Sequence, residues 1–113
     1  MKFEGEGTLL RIYVAEKDMH HGKPLFQAIV ESARNAGLAG ATVLRGVLGF
    51  GASSLIHAPA KDKNMPEDMP VVVEIADRVD KVKAFLPALD QMVKEGLITM
   101  EKVAVIAYRG RGL

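Results

Sequence analysis

The order in which strand-like and helix-like apolar patterns follow one another is the feature that most restricts how this chain can fold. Apolar runs typical of strands occur in residues 8–16, 40–51, 70–76 and 102–108. Helical spacing occurs after Pro24 and again over residues 79–93, where apolar residues recur three and four positions apart. Because connections between neighbouring elements are short and right-handed, the order β-α-β-β-α-β predicts a four-stranded antiparallel sheet with both helices on one face. We therefore expect an α+β, ferredoxin-like βαββαβ fold.

Aspartate and proline mark where the second helix begins and bends. Asp77 is expected to cap its N-terminus, with Asp80 three residues later in a weak capping-box arrangement. Pro87 lies inside the helical pattern and predicts a bend over residues 83–87. Residues 97–100 are expected to form a short turn or edge segment before the last strand.

The predicted sheet has a second face that no helix covers. Apolar and charged side chains share that face: Leu9, Arg11, Tyr13, Val72 and Glu74, with Arg45 as a further candidate. A homo-oligomer would cover such a face, the alternative being a face that is half exposed. Since an unpaired buried charge is costly, Arg11 and Glu74 are expected to pair across strands or subunits. Arg45 is expected to pair with Glu74 inside the oligomer, the alternative being contact with an anion.

Composition excludes several classes of function. The chain has no cysteine, which excludes disulfides, thiolate catalysis and cysteine zinc sites. Its net charge of +1 is spread without a basic stripe, and it has only four Phe and two Tyr, which argues against nucleic acid as a partner. No nucleophile motif is recognisable, so we do not expect an enzyme. With neither a signal peptide nor an apolar run long enough to span a bilayer, we expect a cytoplasmic protein with a single domain, residues 1–113.

Glycines interrupt the second strand-like run just before the longest stretch without a periodic pattern. Gly46, Gly49 and Gly51 suit a bend, or a place where a ligand or another backbone comes close. Residues 52–69 then form a polar, proline-containing loop, longer than compact domains usually contain unless the loop is functional or disordered. From the residues alone, the glycine-rich run is either a hinge beside a ligand or a bend that ends a strand.

Sequence runs spread along the chain carry a family resemblance. They lie at residues 23–30, 33–34, 37–46, 49–51, 54, 56–57, 68–74 and 85–87. With these runs, and above all with Gly-Ala-Thr-Val-Leu-Arg-Gly at residues 40–46, the chain resembles the PII-like family called domain of unknown function 190. The resemblance implies a relationship to PII signalling proteins, which are ferredoxin-like trimers that bind adenine nucleotides in clefts between subunits.

In PII proteins a long loop after the second strand, the T-loop, changes shape with the ligand and docks onto a transporter, channel or enzyme. The resemblance implies that residues 52–69 are this loop. The ligand contacts it implies are Gly49, Phe50, Gly51, Ser53 and Ser54, with Arg109 and Arg111 of the tail. The partner contacts expected in the loop are Lys61, Asp62, Lys63 and Glu67.

The chain departs from the PII pattern between the second helix and the last strand. PII proteins have a glycine- and lysine-rich phosphate loop there, whereas residues 94–99 of this chain read Lys-Glu-Gly-Leu-Ile-Thr. Glu95 would repel a phosphate at this place. The long loop also lacks the tyrosine that some PII proteins have modified.

These observations predict a PII-like regulatory protein, most simply a homotrimer. It would bind a small ligand, with an adenine nucleotide as the candidate, and relay that state through its loop to a membrane transporter, channel or enzyme. No cofactor is implied. One alternative is a metal-binding or metal-responsive ferredoxin-like trimer using His20, His21 or His57, although adjacent histidines on a turn are more often solvated. A small hydrolase or isomerase with its site in the subunit cleft is a third hypothesis.

Overall fold

The structure is a computed structural model that describes residues 2–59 and 68–110, with the backbone alone at residues 2 and 3. Its strands are β1 (Lys2–Ala15), β2 (Met19–His20), β3 (Lys23–Pro24), β4 (Thr42–Arg45), β5 (Pro70–Asp77) and β6 (Leu97–Arg109). Its helices are α1 (Leu25–Asn35) and α2 (Val79–Met92).

The main sheet has four strands in the order β4-β5-β1-β6, and every neighbouring pair is antiparallel. The two strands that follow the helices in each half, β4 and β6, are the edges, as the predicted ferredoxin-like fold requires. That prediction is confirmed. The register sets Arg11 opposite Glu74 and Tyr13 opposite Val72 on the face away from the helices.

One face of the sheet and the two helices enclose the core. The strands contribute every second residue, as expected from the period of a strand: Leu10, Ile12, Val14, Val71, Val73 and Ile75. The helices contribute residues at helical spacing: Leu25, Ala28, Ile29, Ala33, Val82, Phe85, Leu89 and Met92. Neither helix of the described chain is both long and apolar enough to cross a membrane.

The outer ends of β1 and β6 extend beyond the rest of the sheet. β6 pairs with β1 from Leu97 to Arg109, whereas β5 pairs only with residues 8–15 of β1. Residues 2–7 and 103–109 therefore form a two-stranded ribbon, and the molecule measures 47 × 27 × 25 Å. Residues 97–100, expected to form a short turn or edge segment, lie on the sheet edge, but they are the start of β6 and pair with β1, so a turn there was wrong and the last strand begins earlier than expected.

The expected cap at Asp77 was also wrong. Arg78 is the N-cap of α2, and no side chain caps that helix. Asp77 is instead the last residue of β5, is buried, and accepts hydrogen bonds from the backbone N–H of Ala39 at 2.9 Å and of Arg78 at 2.7 Å. It therefore joins the segment after α1 to the start of α2. α2 continues through Pro87 to Met92, and the predicted bend there stays a prediction.

Candidate functional site

The chain makes a close backbone contact directly after β4. The N–H of Gly46 donates to the carbonyl of Pro70 at 2.7 Å. A Cβ atom at Gly46 would lie 2.8 Å from Cγ of Pro70 and 3.3 Å from its carbonyl oxygen. Glycine is required here because the start of β5 leaves no room for a side chain, which favours a structural role for this first glycine.

The next residues fold back on themselves. Gly49 and His57 form an isolated antiparallel bridge, with N–H to carbonyl distances of 3.1 and 2.7 Å. Inside it, the N–H of Ser54 donates to the carbonyl of Gly51 at 2.8 Å, and Ser53 Oγ accepts from the N–H of Leu55 at 3.4 Å. The segment 49–57 is thus a small closed loop that stands on the sheet edge.

The two ends of the long loop are held together beside this bridge. His57 Nδ1 lies 3.2 Å from Asp68 Oδ2, and the other carboxylate oxygen of Asp68 accepts from the N–H of Lys17 at 2.9 Å. The N–H of Glu16 donates to the carbonyl of Met69 at 2.8 Å. Residues far apart in sequence therefore fix where the loop leaves and rejoins the sheet.

Arg45 contributes to this same region, where it pairs with Glu16 of its own chain, and its expected pairing with Glu74 inside an oligomer stays a prediction. Its Nε and Nη2 donate to the carboxylate of Glu16 at 2.9 and 3.1 Å. The guanidinium of Arg45 lowers the pKa of Glu16, and the N–H of Met69 acts in the same direction. Arg45 lies on the edge strand, where β1 ends, and so it is closer to Glu16 than to the middle of β5.

Glu74 pairs with Arg11 instead, which confirms the expected cross-strand pair. Arg11 Nε donates to Glu74 at 3.0 Å, and Arg11 Nη1 contacts Glu101 on the other neighbouring strand. Hydrogen bonding to both carboxylates raises the pKa of Arg11. We call this helix-free surface the open face and define it by Leu9, Arg11, Tyr13, Val72 and Glu74.

A cleft of about 340 Å³ lies where the glycine-rich segment, the end of β1 and the start of β6 meet. Apolar side chains and glycines form most of its wall: Tyr13, Val14, Ala15, Gly46, Leu48, Gly49, Phe50, Gly51, Ala52, Pro70, Val71, Val72, Gly96 and Leu97. Asp18, Ser53, His57 and Glu95 complete the lining. Of the predicted ligand residues, Gly49, Phe50, Gly51 and Ser53 come together here, whereas Ser54 does not line the cleft.

The tail residues of the predicted ligand set lie elsewhere. Arg109 is at the far end of β6 from Leu97, a distance of about 40 Å at the usual rise per strand residue. One protomer therefore does not bring Arg109 to its own cleft, and its role stays a prediction that needs a neighbouring protomer. Arg111 and the predicted partner residues Lys61, Asp62, Lys63 and Glu67 lie outside the described residues.

Sequence reasoning missed part of the cleft. Tyr13 and Asp18 were not expected to belong to it, since they precede Gly46, the first residue of the glycine-rich run, by 33 and 28 positions. The sequence feature that could have revealed them is the polar turn after β1. Because β1 and β5 are antiparallel neighbours, this turn has to lie beside the start of β5. Glu95 was noted in sequence, and the cleft contains it.

The histidines of the turn after β1 form a separate cluster. The rings of His20 and His21 have centroids 4.1 Å apart. Desolvation, and then the charges of His21, Lys94 and Lys23, lower the pKa of His20. Within residues 2–59 and 68–110, no three His, Cys, Asp or Glu side chains converge in a way that could hold a metal ion. The metal-binding hypothesis therefore has no support from that part of the chain.

The chain matches a known protein family and proteins of two organisms. The family model of DUF190, described as "Uncharacterized ACR", matches residues 7–105. A UPF0166 protein of Aquifex aeolicus is 41% identical over 98 residues, covering 87% of this chain and 91% of that protein. A UPF0166 protein of Methanocaldococcus jannaschii is 29% identical over 106 residues, covering 93% and 94%.

Solved structures share the fold at low sequence identity. CPII of Thiomonas intermedia K12, a nitrogen regulatory PII-like protein bound to ADP, AMP and bicarbonate, aligns with a TM-score of 0.60 and 16% identity over 96% of this chain and 92% of CPII. CutA of Synechococcus elongatus PCC7942 aligns with a TM-score of 0.57 and 13% identity over 95% of this chain and 84% of CutA. At these identities the likeness concerns the fold, which is that of PII-like regulatory proteins.

Proposed function

This chain belongs to the DUF190 family, and from that premise we propose that it is a non-enzymatic regulatory protein. It binds a small ligand in the cleft beside residues 49–51 and passes that state through the loop of residues 52–69 to a partner protein. One observation carries the proposal: the cleft and the base of the loop share a wall, since Gly49 and His57 both line the cleft and bridge to each other.

Ligand binding would act on the loop through that shared wall. A ligand in the cleft touches Phe50 and Ser53, which lie inside the closed loop 49–57, and His57, which pairs with Asp68 at the loop's other end. Phe50 is 73% exposed in the single chain. A ligand that covers the Phe50 ring would therefore stabilise the loop conformation in which this ring lines the cleft. The ligand would therefore shift the population between loop conformers.

The protein would act as a homo-oligomer, with a trimer as the proposed state. The open face carries Tyr13 at 39% exposure, and the adjoining edges carry Leu44 at 49% and Leu97 at 56%. Apolar surface of this kind is typical of an interface, and a closed ring of subunits would bury it. The same ring would close the open side of the cleft with a neighbouring protomer.

An adenine nucleotide is the ligand class to test first, because the PII-like fold is shared with CPII, whose structure holds ADP and AMP. The partner would be a membrane transporter, channel or enzyme that docks on Lys61, Asp62, Lys63 and Glu67 of the loop. Nucleic acid is not proposed as a partner, and no cofactor is assigned.

Calorimetric titration with adenosine, AMP, ADP and ATP tests the ligand-binding half of this proposal. Binding should weaken at least tenfold in Gly51→Val, because the new side chain would occupy the cleft. Gly40→Val is the matched control, since a Cβ at either glycine meets no atom within 4 Å and Gly40 does not line the cleft. Absence of heat with all four compounds would remove adenine ligands from the proposal, and equal effects of the two variants would place the ligand elsewhere.

Hydrogen exchange of the loop tests the relay. Backbone amides of residues 49–57 should exchange more slowly when the ligand is bound, because closing the shared wall suppresses local opening. Unchanged exchange in the presence of saturating ligand would leave a binding protein without a relay through this loop.

A further inference from the structure

The ionisable side chains that line the cleft point to a preference about ligand charge. Asp18 lies on the turn after β1 and Glu95 on the connection between α2 and β6, and both line the cleft. Asp18 is half-buried, and its carboxylate accepts from the N–H of Ala15 at 2.9 Å. Across the described part of the chain, no lysine or arginine side chain joins them in the lining.

Arg45 and Lys94 are near the cleft in sequence or space but do not belong to its lining. Arg45 donates two hydrogen bonds to Glu16, and neither residue lines the cleft. Lys94 precedes Glu95 but does not line the cleft, and its charge is one of those that lower the pKa of His20. Neither carboxylate of the cleft therefore has a lysine or arginine partner within the described lining, and His57 of that lining is paired with Asp68.

The backbone holds Glu95 at this place. Gly96 has φ +154°, and a Cβ there would lie 2.6 Å from the carbonyl oxygen of Tyr13 and 3.1 Å from Cγ1 of Val93. Leu97 then pairs with Tyr13 as β6 begins. The connection between α2 and β6 therefore packs closely against β1, which fixes the position of Glu95 at the cleft.

We propose that the cleft selects its ligand by charge: it takes a compact, largely apolar molecule whose polar end is neutral or cationic, and each added phosphate or sulfonate weakens binding. This rests on the proposed function in using the same cleft. Two carboxylates beside a site of this size repel an anion at short range, while the apolar wall binds the body of either kind of molecule. Within an adenine series, affinity should fall from adenosine through AMP and ADP to ATP.

A pair of fluorescent probes tests the charge preference without assuming the natural ligand. N-phenyl-1-naphthylamine and 1-anilinonaphthalene-8-sulfonate share one ring system and differ by the sulfonate. In the intact protein the neutral probe should bind the cleft more tightly than the anionic one. Glu95→Gln should tighten the anionic probe about three- to tenfold, for one unit charge removed at several ångströms in a solvated cleft, and leave the neutral probe unchanged.

Glu6→Gln is the matched control, since Glu6 is exposed on the two-stranded ribbon, about 23 Å of strand away from Leu97. It should change neither probe. Raising the salt concentration from about 0.05 to 0.5 M should tighten the anionic probe relative to the neutral one in the intact protein, because salt screens the repulsion. That salt effect should disappear in Glu95→Gln.

The inference is overturned if the sulfonate probe binds as tightly as the neutral one and Glu95→Gln leaves the ratio unchanged. It is also overturned if Arg109→Ala weakens the anionic probe alone, because a neighbouring protomer would then supply the missing cation. Failure of every adenine compound to bind, with the probe result as expected, would remove the adenine ligand of the proposed function and leave the charge preference supported.

Discussion

Replacing Gly96 by alanine should destabilise the protein more than any other single methyl group added near the cleft. Two terms contribute. The residue has φ +154°, a conformation whose cost for a side-chain-bearing residue is about 1–3 kcal/mol. The new Cβ would also lie 2.6 Å from the Tyr13 carbonyl oxygen, a backbone atom, and relieving such overlap costs about 1–3 kcal/mol.

The expected loss is the sum of those ranges, about 2–6 kcal/mol, a large share of the stability of a domain of this size. Urea denaturation followed by circular dichroism would measure it, at one protomer concentration so that the proposed assembly affects all variants equally. Gly51→Ala is the control: a Cβ there meets no atom within 4 Å, so its free energy of unfolding should stay within about 0.5 kcal/mol of the natural protein. A Gly96→Ala variant equally close to the natural protein would refute the argument that β1 fixes the connection before β6.

Two further predictions concern charges. Because Arg45 lowers the pKa of Glu16, their ion pair stabilises the fold above the usual glutamate pKa and is lost as pH falls through the lowered value. Glu16→Gln should cost about 0.5–1 kcal/mol at pH 7 in urea denaturation, with the gap to the natural protein closing below about pH 4; a gap independent of pH contradicts this. Arg11→Glu would set a third carboxylate on the open face beside the two that Arg11 contacts, and should dissociate the oligomer in sedimentation velocity. Lys102→Glu, on the exposed ribbon, should leave the assembled mass unchanged, and persistence of the oligomer in Arg11→Glu would exclude the open face as the interface.

The spacing of apolar residues predicted an element correctly where a single helical or strand period runs through the whole element. α2 shows this, because apolar spacing over residues 79–93 predicted a helix and the structure has one at Val79–Met92. The buried face is shifted from that pattern: Val82 and Leu89 are buried with Phe85 and Met92, whereas Val79 is 49% exposed. The Arg11–Glu74 pair was also predictable, since both fall in the uncovered face of strands that a βαββαβ order makes neighbours.

The expectations that differ from the structure share one cause. In each case the interaction that a residue makes depends on a partner distant in sequence. Arg45 pairs with Glu16 because an edge strand ends beside the turn after β1, a relation that depends on register. Asp77 had the residue type and position of a helix cap, yet its carboxylate accepts a hydrogen bond from the N–H of Ala39. Ala39 follows α1 and lies 38 positions away in sequence. The start of β6 at Leu97 depends on pairing with β1, whereas the sequence pattern placed the start of the last strand at Lys102.

By itself, the sequence determined the four strands of the main sheet, the two helices and their order, because hydrophobic period and chain connectivity are properties of neighbouring residues. It also determined the family. It did not predict the two-residue strands β2 and β3. Only the tertiary structure revealed the cleft, since Tyr13, Phe50 and Glu95 come from three separate parts of the chain and meet where β1 ends and β6 begins. The physical reason is that a site of this kind depends on strand register and on close backbone contacts, such as Gly96 against Tyr13, which no local pattern encodes.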